Sequence, residues 1–555
     1  MNASHWQRCA AIVACFLFGC SFAPSHAAAK PQTIADLGTL TFPTSTKLPA
    51  AQTAFIRGAL LLHLFEYDGA AKAFQQAETL DPGFAMAYWG EAMTHNHGVW
   101  NQVDEKAGRA ALDKFGATAA DRAAKTPTAR ERGYLAAVEI LYDGQGSKAQ
   151  RDARYEEAMQ KLARDFPDDN QAQLFYALAL LGRSEGIRDV PTYLQAAAIS
   201  KRIFRKNPLN PGAAHYWIHG MDDPAHAAGA LEAARALSKI APGAGHAQHM
   251  TSHIFMALGM WDDVERANIN AMRVVDAQRD AQGKPHVACF HYGEWLEYTW
   301  FQQGRNADGL KLLQECHDSG TAALKTMKDK EADAFAERLG SSLAGMRAVG
   351  VIESQDWNGT AAQMSIDIPK DSSAWAWSYF AIGYAAAERG DKGAAQGALD
   401  ALDTIVASAK PDPEDLHQMD YLHILDDELG GLVASKRNEG ASAIDRVRKA
   451  AERYDGLAFD FGPPVPVKPP HELLGELLLA SSNAQQAGIE FETALKRAPN
   501  RTLSLLGLAR AQAAAHDKAA ATATYRKLVA ILHAADADSP ALIEARAWLA
   551  HPSKG

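Results

Sequence analysis

The sequence predicts an all-α fold in which helical hairpins stack side by side into a solenoid. At 555 residues the chain is too long for one simple core, which favours several domains or an array of repeats. Alanine is frequent and runs of β-branched residues are scarce, which favours packed helices over a sheet. The third observation is a pattern of small and aromatic residues that occurs near both ends of the chain.

The two copies of this pattern have the same spacings of 12, 4, 3 and 5 residues. They consist of Gly58, Ala70, Phe74, Ala77 and Pro82, and of Gly475, Ala487, Phe491, Ala494 and Pro499. Small residues let two antiparallel helices approach closely, the aromatic ring fills the groove behind them, and proline ends the second helix. The pattern resembles the tetratricopeptide repeat (TPR), a 34-residue helix–turn–helix unit. That resemblance implies a TPR-like superhelix whose concave groove is lined by the first helix of each pair.

Residues 1–27 are predicted to be a signal peptide. The apolar core from Cys9 to Gly19 is too short to span a bilayer but has the length of an export signal. Small residues at Ser25 and Ala27 favour cleavage there, which would give a soluble periplasmic protein. The alternative is a membrane-anchored lipoprotein, because the residues that precede Cys20 resemble a lipobox. Beyond this leader no apolar run is long enough to cross a membrane.

The remainder of the chain divides into four predicted segments. They are an N-terminal arm at 28–50, a degenerate TPR-like array at 51–462, a Pro-rich joint at 463–470, and a C-terminal TPR pair at 471–555. The Pro-rich stretch is interpreted either as a rigid, helix-free joint or as a loop packed against the array.

Charge and cysteine content narrow the possible partners and chemistry. The net charge of −10 and the lack of a basic block argue against a nucleic-acid partner. A protein or peptide partner, or a small ligand, is expected instead. After the leader only Cys289 and Cys316 remain, and their spacing does not suit thiol redox catalysis. They either pair in an oxidising compartment or stay as two separate buried thiols.

The stretch from Pro211 to Trp261 holds six of the twenty histidines. Histidines three or four residues apart lie on one face of a helix, and a pair at this spacing can hold one metal ion. Imidazole is a common ligand of zinc, copper and iron, so a transition-metal cofactor is predicted. The predicted metal ligands are His215, His219, His249 and His253, and the predicted ligand-binding residues are His246, His291, Glu294 and Trp217.

Two acidic residues lie between the histidine clusters. Asp223 is the expected N-cap of a helix from Pro224 to Ile240, because proline is favoured in the first helical turn. Asp222 and Asp223 are alternatively candidates to orient the ligand imidazoles through their second ring nitrogen.

Two function classes follow from these residues. The first is an exported TPR-type binding or scaffold protein of the cell envelope, with the histidine-rich groove holding its partner or ligand. The alternative is a metal-dependent enzyme, oxidative or hydrolytic, in which Glu294 serves as base. Two interpretations without a metal also stay open: a polar groove, and histidines that only pack the core.

Several phrases of the sequence resemble a group of exported bacterial TPR proteins. They begin at His215 (HYWIHGMDDPAHA), at Ile240 (IAPGAGHAQHMTSHIF) and at Pro463 (PPVPVKPPHELLGELLL). This resemblance covers most of the chain after the leader and implies the repeat fold. It implies no particular chemistry, because that group is defined by its repeats.

Overall fold

The computed structural model describes residues 31–184, 187–411 and 416–551. Within these ranges the chain forms 26 α-helices and four strands of two or three residues. The predicted all-α, TPR-like solenoid is thereby confirmed. Among the described residues no helix is both long and apolar enough to cross a bilayer. The predicted leader at 1–27 lies outside these ranges.

The helices in the first half of the described chain are α1 Pro49–His63, α2 Tyr67–Leu80, α3 Ala85–Met93, α4 Glu105–Asp113, α5 Ala119–Lys125, α6 Ala129–Leu141, α7 Lys148–Asp165, α8 Asn170–Gly182, α9 Val190–Lys206, α10 Pro211–Gly220, α11 Leu231–Ile240, α12 Gly245–Ala257 and α13 Trp261–Ala281. Those in the second half are α14 Phe290–Gln302, α15 Asn306–Leu324, α16 Asp329–Ser354, α17 Thr360–Gln363, α18 Ala374–Glu388, α19 Lys392–Ser408, α20 Gln418–Lys436, α21 Gly440–Asp455, α22 Pro470–Ala480, α23 Ala484–Arg497, α24 Thr502–Ala514, α25 Lys518–Ile531 and α26 Pro540–Ala550.

The repeat pattern at the two ends packs as the sequence predicts. Phe74 lies so close to α1 that a Cβ added to Gly58 would be 2.7 Å from its ring. Near the C-terminus, a Cβ added to Gly475 would be 3.0 Å from the ring of Phe491. Each aromatic ring therefore occupies the space that the small residue leaves between two antiparallel helices.

The superhelix curls tightly enough for distant hairpins to meet. The indole of Trp261 donates a hydrogen bond to the carbonyl of Asn500 over 3.1 Å, across 239 positions of sequence. The Asn500 amide in turn donates to the carbonyl of Gly259 over 3.1 Å. These bonds fix the C-terminal repeats against the turn that follows α12.

The described part of the N-terminal arm forms an antiparallel hairpin. Its strands are β1 Gln32–Ile34 and β2 Gly38–Leu40. The amide of Thr39 donates to the carbonyl of Leu209 over 2.9 Å, so the hairpin is joined to the turn before α10. Two further strands, β3 Asn96–His97 and β4 Gln102–Val103, pair after α3.

The Pro-rich stretch before α22 is a loop packed against the array. Val467 and Lys468 are buried. A Cβ added to Gly462 would be 2.7 Å from the indole of Trp295 on α14. Of the two interpretations offered by the sequence, the packed loop is the one that the structure shows.

Cys289 and Cys316 form a disulfide, which resolves the second open alternative. The bond joins the residue before α14 to the middle of α15. It therefore ties the start of a histidine-bearing helix to its partner in the same hairpin.

The expected helix start at Pro224 is wrong. The carboxylate of Asp223 accepts hydrogen bonds from the amides of Ala225 and His226, at 2.9 and 3.0 Å, and holds a turn there. The same carboxylate pairs with the guanidinium of Arg188 at 2.6 Å. A short 3₁₀ turn follows, and the α-helix begins only at Leu231. The Asp223 side chain does accept backbone hydrogen bonds, as a capping residue would, but it stabilises a turn and pairs with Arg188 and does not begin a helix.

Candidate metal centre

The histidines of the predicted site come from three consecutive hairpins. Helix α10 carries two of them, α12 carries three, and α14 carries one; they are His215 and His219, then His246, His249 and His253, then His291. Each of these helices is the first of its pair. The prediction that first helices bring the histidines together is therefore met by the geometry.

The six rings separate into two groups of three. In each group, one ring nitrogen from every histidine lies within 4.8 Å of the other two. We call them triad 1, which consists of His215, His219 and His246, and triad 2, which consists of His249, His253 and His291. The structure thus divides the predicted set of four metal ligands between two sites, and His246 and His291 complete them.

The open, histidine-lined groove expected from the sequence is not confirmed. His215 and His249 are 0% exposed, and His219 and His253 are 2% exposed. His291 is the member of the two triads that is exposed. The histidines therefore lie inside the array, with one of them at its inner surface.

In triad 2 the proton of His249 has a fixed position. The Asn268 amide donates from Nδ2 to the carbonyl of Val264 over 3.0 Å, so its Oδ1 faces the histidine. This Oδ1 lies 2.7 Å from Nδ1 of His249. Because an amide oxygen only accepts, Nδ1 carries the proton and Nε2 of His249 presents a lone pair.

His253 is oriented in the same way. Its Nδ1 lies 2.5 Å from a carboxylate oxygen of Asp222, which accepts a hydrogen bond from the ring N–H. The Nε2 atoms of His249 and His253 are 3.1 Å apart. In the neutral tautomers that these acceptors select, two lone pairs face each other with no proton between them.

This separation fits a shared metal ion, and it also fits an N–H···N hydrogen bond. Two imidazole nitrogens at about 2.0 Å from a tetrahedral zinc ion lie roughly 3.3 Å from each other. A partner on the second ring nitrogen is also the usual arrangement around a metal-binding histidine. Asp222 and Asn268 supply this partner in triad 2. The sequence offered Asp222 for that role but gave no signal for Asn268.

Triad 1 is held less completely. Nδ1 of His215 donates to the carbonyl of His63 over 2.7 Å, so Nε2 of the neutral ring presents a lone pair. This atom lies 3.1 Å from Nε2 of His219. The Nε2 atom of His246 is buried and has no hydrogen-bond partner among the described residues. Three ring nitrogens thus converge here as well, but one anchor orients a ring in triad 1, whereas triad 2 has two.

Aromatic rings enclose both triads. The ring of Phe65 lies over triad 1, with its centroid 4.4 Å from that of His215, 5.7 Å from His219 and 5.5 Å from His246. Trp295 covers triad 2, at 4.7 Å from His249. Such apolar walls exclude water and strengthen electrostatic interactions inside the site.

The two triads are neighbours. The ring centroids of His219 and His253 are 6.0 Å apart, and those of His246 and His249 are 6.2 Å apart. Two metal ions held in the two triads would therefore be close neighbours.

Burial favours the neutral form of five of the six imidazoles. It lowers the pKa of His215 to about 3 and that of His291 to about 3. Burial also lowers the pKa of three more members well below the usual value; they are His219, His246 and His249. Neutral imidazole is the form that binds a metal ion.

A cavity of about 390 Å³ lies beside triad 2. His291, Glu294 and Trp295 form part of its wall, so α14 faces the cavity with two of the four predicted ligand-binding residues, His291 and Glu294. The hydroxyl of Ser342 donates to Glu294 over 2.7 Å, and burial raises the pKa of this carboxyl. The cavity wall also contains Glu297, one turn further along the same helix.

Trp217 does not join the site. Its ring packs against Phe204 of α9 at 5.6 Å and against the ammonium group of Lys201 at 5.0 Å. Because Trp217 is two positions beyond His215, an α-helix turns its side chain to the opposite face. It contributes to the hydrophobic core between α9 and α10.

No protein-family model and no curated protein matches the chain. Among solved structures, the Cut9–Hcn1 hetero-tetramer of the APC/C is 12% identical over 92% of this chain and 79% of that chain, with a TM-score of 0.32. The human IFIT1 dimer with m7Gppp-AAAA is 13% identical over 89% and 92% of the two chains, with a TM-score of 0.30. Yeast Tom70 is 11% identical over 90% and 88%, with a TM-score of 0.28. At these TM-scores the similarity carries no information about the site.

Proposed function

We propose that each triad binds one transition-metal ion and that the two ions form the centre of a metal-dependent enzyme. The observation that carries the proposal is the pair of Nε2 atoms in His249 and His253, 3.1 Å apart, with both Nδ1 atoms already committed to acceptors. Two facing lone pairs repel each other unless a cation lies near both.

A metal-free explanation requires a different protonation state. If His253 carried two protons, its Nε2–H would donate to His249 and its Nδ1–H to Asp222. The site would then be a buried imidazolium–carboxylate pair. The unpartnered Nε2 of His246 in the neighbouring triad favours the metal, because a protonated His253 gives that atom no partner.

The number of ligands favours an enzyme over a structural metal site. Structural zinc sites are closed by four protein ligands, whereas catalytic ones have three and keep a position open. Each triad supplies three imidazoles. A zinc, copper or iron ion held in this way activates a water or substrate molecule bound at the open position.

The remaining residues have positioning and proton-transfer roles in this proposal. Asp222 and Asn268 hold the rings of triad 2 in place. Glu294 lies one helical turn beyond His291 on the cavity wall, where its carboxylate can take a proton from a molecule bound beside that histidine. A cavity of about 390 Å³ suits a small molecule better than a peptide segment.

We also propose that the protein works in the periplasm after export. The Cys289–Cys316 disulfide supports this location, because such bonds persist in oxidising compartments. Mass spectrometry of untreated cells, with free thiols blocked before lysis, tests it. Loss of residues 1–27 and an intact disulfide are expected; a retained leader with two blocked thiols would contradict the proposal.

Metal content tests the central claim directly. Untagged protein, purified without chelators, should contain two transition-metal ions per chain by elemental analysis. The double variant His249→Ala/His253→Ala should retain one, because only triad 2 is removed. The control is His471→Ala, a buried histidine whose ring bonds to Asp455 and Glu490 and which belongs to neither triad. It should keep both ions.

The open coordination position has its own test. Cobalt(II)-substituted protein should change its visible absorption spectrum when azide is added, because azide would occupy the open position. Protein that takes up no metal, and whose His253 shows two ring N–H signals by nuclear magnetic resonance, would refute the proposal and establish the imidazolium–carboxylate pair.

A further inference from the structure

The cavity beside triad 2 has a wall of unusual composition. Its apolar part contains aromatic, aliphatic and proline side chains, among them Trp295, Trp377, Phe461 and Val467. Ligand cavities typically begin at about 300 Å³, so its volume of about 390 Å³ suits a small organic molecule. The space adjoins His291, the exposed member of triad 2.

The acidic side chains on this wall are those of Glu294 and Glu297, and no lysine or arginine of the described ranges forms part of it. Glu294 already accepts a hydrogen bond from Ser342. Glu297 is different, because neither of its carboxylate oxygens has a hydrogen-bond partner among the described residues, although the residue is 0% exposed.

An unpartnered buried carboxylate is costly. Burying such a group without a hydrogen bond costs several kcal/mol, and native proteins rarely leave it so. The buried acid Glu353, in contrast, binds the guanidinium of Arg501 at 2.5 Å. Glu297 therefore lacks a partner that the folded chain does not itself supply.

We propose that this cavity binds a small organic amine as its ammonium ion, with an aromatic or aliphatic body. The ammonium group pairs with Glu297 and lies near the faces of Trp295 and Trp377, which attract cations. The apolar body fills the space toward Phe461 and Val467. The proposal rests on the proposed function in one respect only, which is that the bound amine lies next to the metal of triad 2.

A substitution on the cavity wall can fill the cavity without removing any of its polar groups. Gly345 of α16 forms part of the wall, and a Cβ added to it meets no atom within 4 Å. A leucine at this position extends into the cavity without a clash at its base. Because glycine is a poor residue in the middle of a helix, the substitution should leave the fold intact.

The experiment is calorimetric titration of the full chain with 2-phenylethylamine and with its uncharged counterpart, 2-phenylethanol. Each titration is done on metal-loaded and on metal-free protein. The amine should bind about ten- to hundredfold more tightly than the alcohol, since a charged hydrogen bond separates them. Glu297→Gln should remove this preference, and Gly345→Leu should abolish binding of both compounds. Glu428→Gln, at a buried glutamate that does not line the cavity, is the control and should change the preference little.

The outcomes separate the two proposals. Amine binding that survives in metal-free protein and is lost in Glu297→Gln supports the cavity assignment whatever the metal content. Equal binding of amine and alcohol, or no binding of either by folded protein, would overturn it. Binding that needs the metal and ignores Glu297→Gln would mean that the amine ligates the metal, and would also overturn it. Elemental analysis and circular dichroism of every variant show whether metal and fold are retained.

Discussion

Triads 1 and 2 each consist of three histidines, but they differ in the hydrogen bonds that orient the rings and in the side chains that cover them. In triad 2, Asn268 and Asp222 orient His249 and His253, and His291 opens toward the cavity. In triad 1, the backbone carbonyl of His63 orients one ring, and Phe65 lies across the site. The surroundings of the two triads therefore differ: triad 2 borders the cavity, whereas an aromatic ring covers triad 1.

The largest expected difference concerns the cover of triad 1. Phe65 is buried, so Phe65→Ala should cost about 3–5 kcal/mol of folding free energy, as large-to-small core changes do. The variant should also let azide reach a cobalt(II) ion in triad 1. Urea unfolding measures the first effect, and visible absorption of protein that also carries His249→Ala/His253→Ala measures the second.

Phe461, which lies beside triad 2, is the control for the Phe65 variant. It lies 5.2 Å from His253 but is only half-buried, so Phe461→Ala should cost less stability. Equal losses for the two variants, with no gain of azide access at triad 1, would show that the two sites do not differ in enclosure.

The second difference is a pH dependence behind triad 1. Burial lowers the pKa of His63 from 6.5 to about 4. Between these values the unfolded chain binds a proton that the folded chain does not, so acid destabilises the fold. Metal-free protein should lose about 3 kcal/mol through this residue as the pH falls across that window, because one pKa unit corresponds to about 1.4 kcal/mol.

Urea unfolding of metal-free protein at about pH 4 and about pH 7 measures this effect. His63→Leu should make stability depend less on pH than it does in the wild type. Identical pH profiles for the wild type and His63→Leu would contradict the assignment.

The third difference lies in the anchors of triad 2. Asn268→Leu removes the acceptor of the His249 proton, and loss of such a partner typically weakens metal affinity about 10- to 100-fold. Chelator competition measures the affinity in protein that also carries His215→Ala/His219→Ala, so that only triad 2 reports.

Ser252→Ala is the control for this anchor. The Ser252 hydroxyl donates to the carbonyl of His249 over 2.6 Å and lies 3.4 Å from its Nδ1, so it is not the acceptor that fixes the ring. A larger loss in Ser252→Ala than in Asn268→Leu would show that the tautomer is set differently.

The fold could be predicted from local patterns, because helix pairs of this kind depend on residues close in sequence. The fit of Phe74 against Gly58 follows from a spacing that is visible in one repeat. The start of α11 could not be predicted in the same way. There, the distant Arg188 binds Asp223, and this contact overrides a local capping signal.

In the site, too, local features could be predicted from the sequence and long-range contacts could not. The spacings of His215 with His219 and of His249 with His253 place each pair on one helix face, so the pairs could be predicted. Their division between two triads depends on how neighbouring hairpins stack, which brings His246 and His291 to different pairs. No spacing in the sequence contains that information, and none indicates Asn268 as an anchor.

Substitution of two glycines by alanine tests how closely the chain is packed near each triad, with the smallest expected effects on stability. A Cβ added to Gly345, beside triad 2, meets nothing within 4 Å, so Gly345→Ala should stabilise the protein by about 0.5–1 kcal/mol through the helix alone. A Cβ added to Gly212, behind triad 1, would lie 2.5 Å from Nδ1 of His63. That ring cannot move away, because it is fully buried and stacks on Phe175 at 4.8 Å. Gly212→Ala should therefore destabilise the protein, by about 1–3 kcal/mol as overpacking does. Urea unfolding of both variants gives opposite signs if triad 1 is closely packed and triad 2 borders open space, and the same sign if they do not differ.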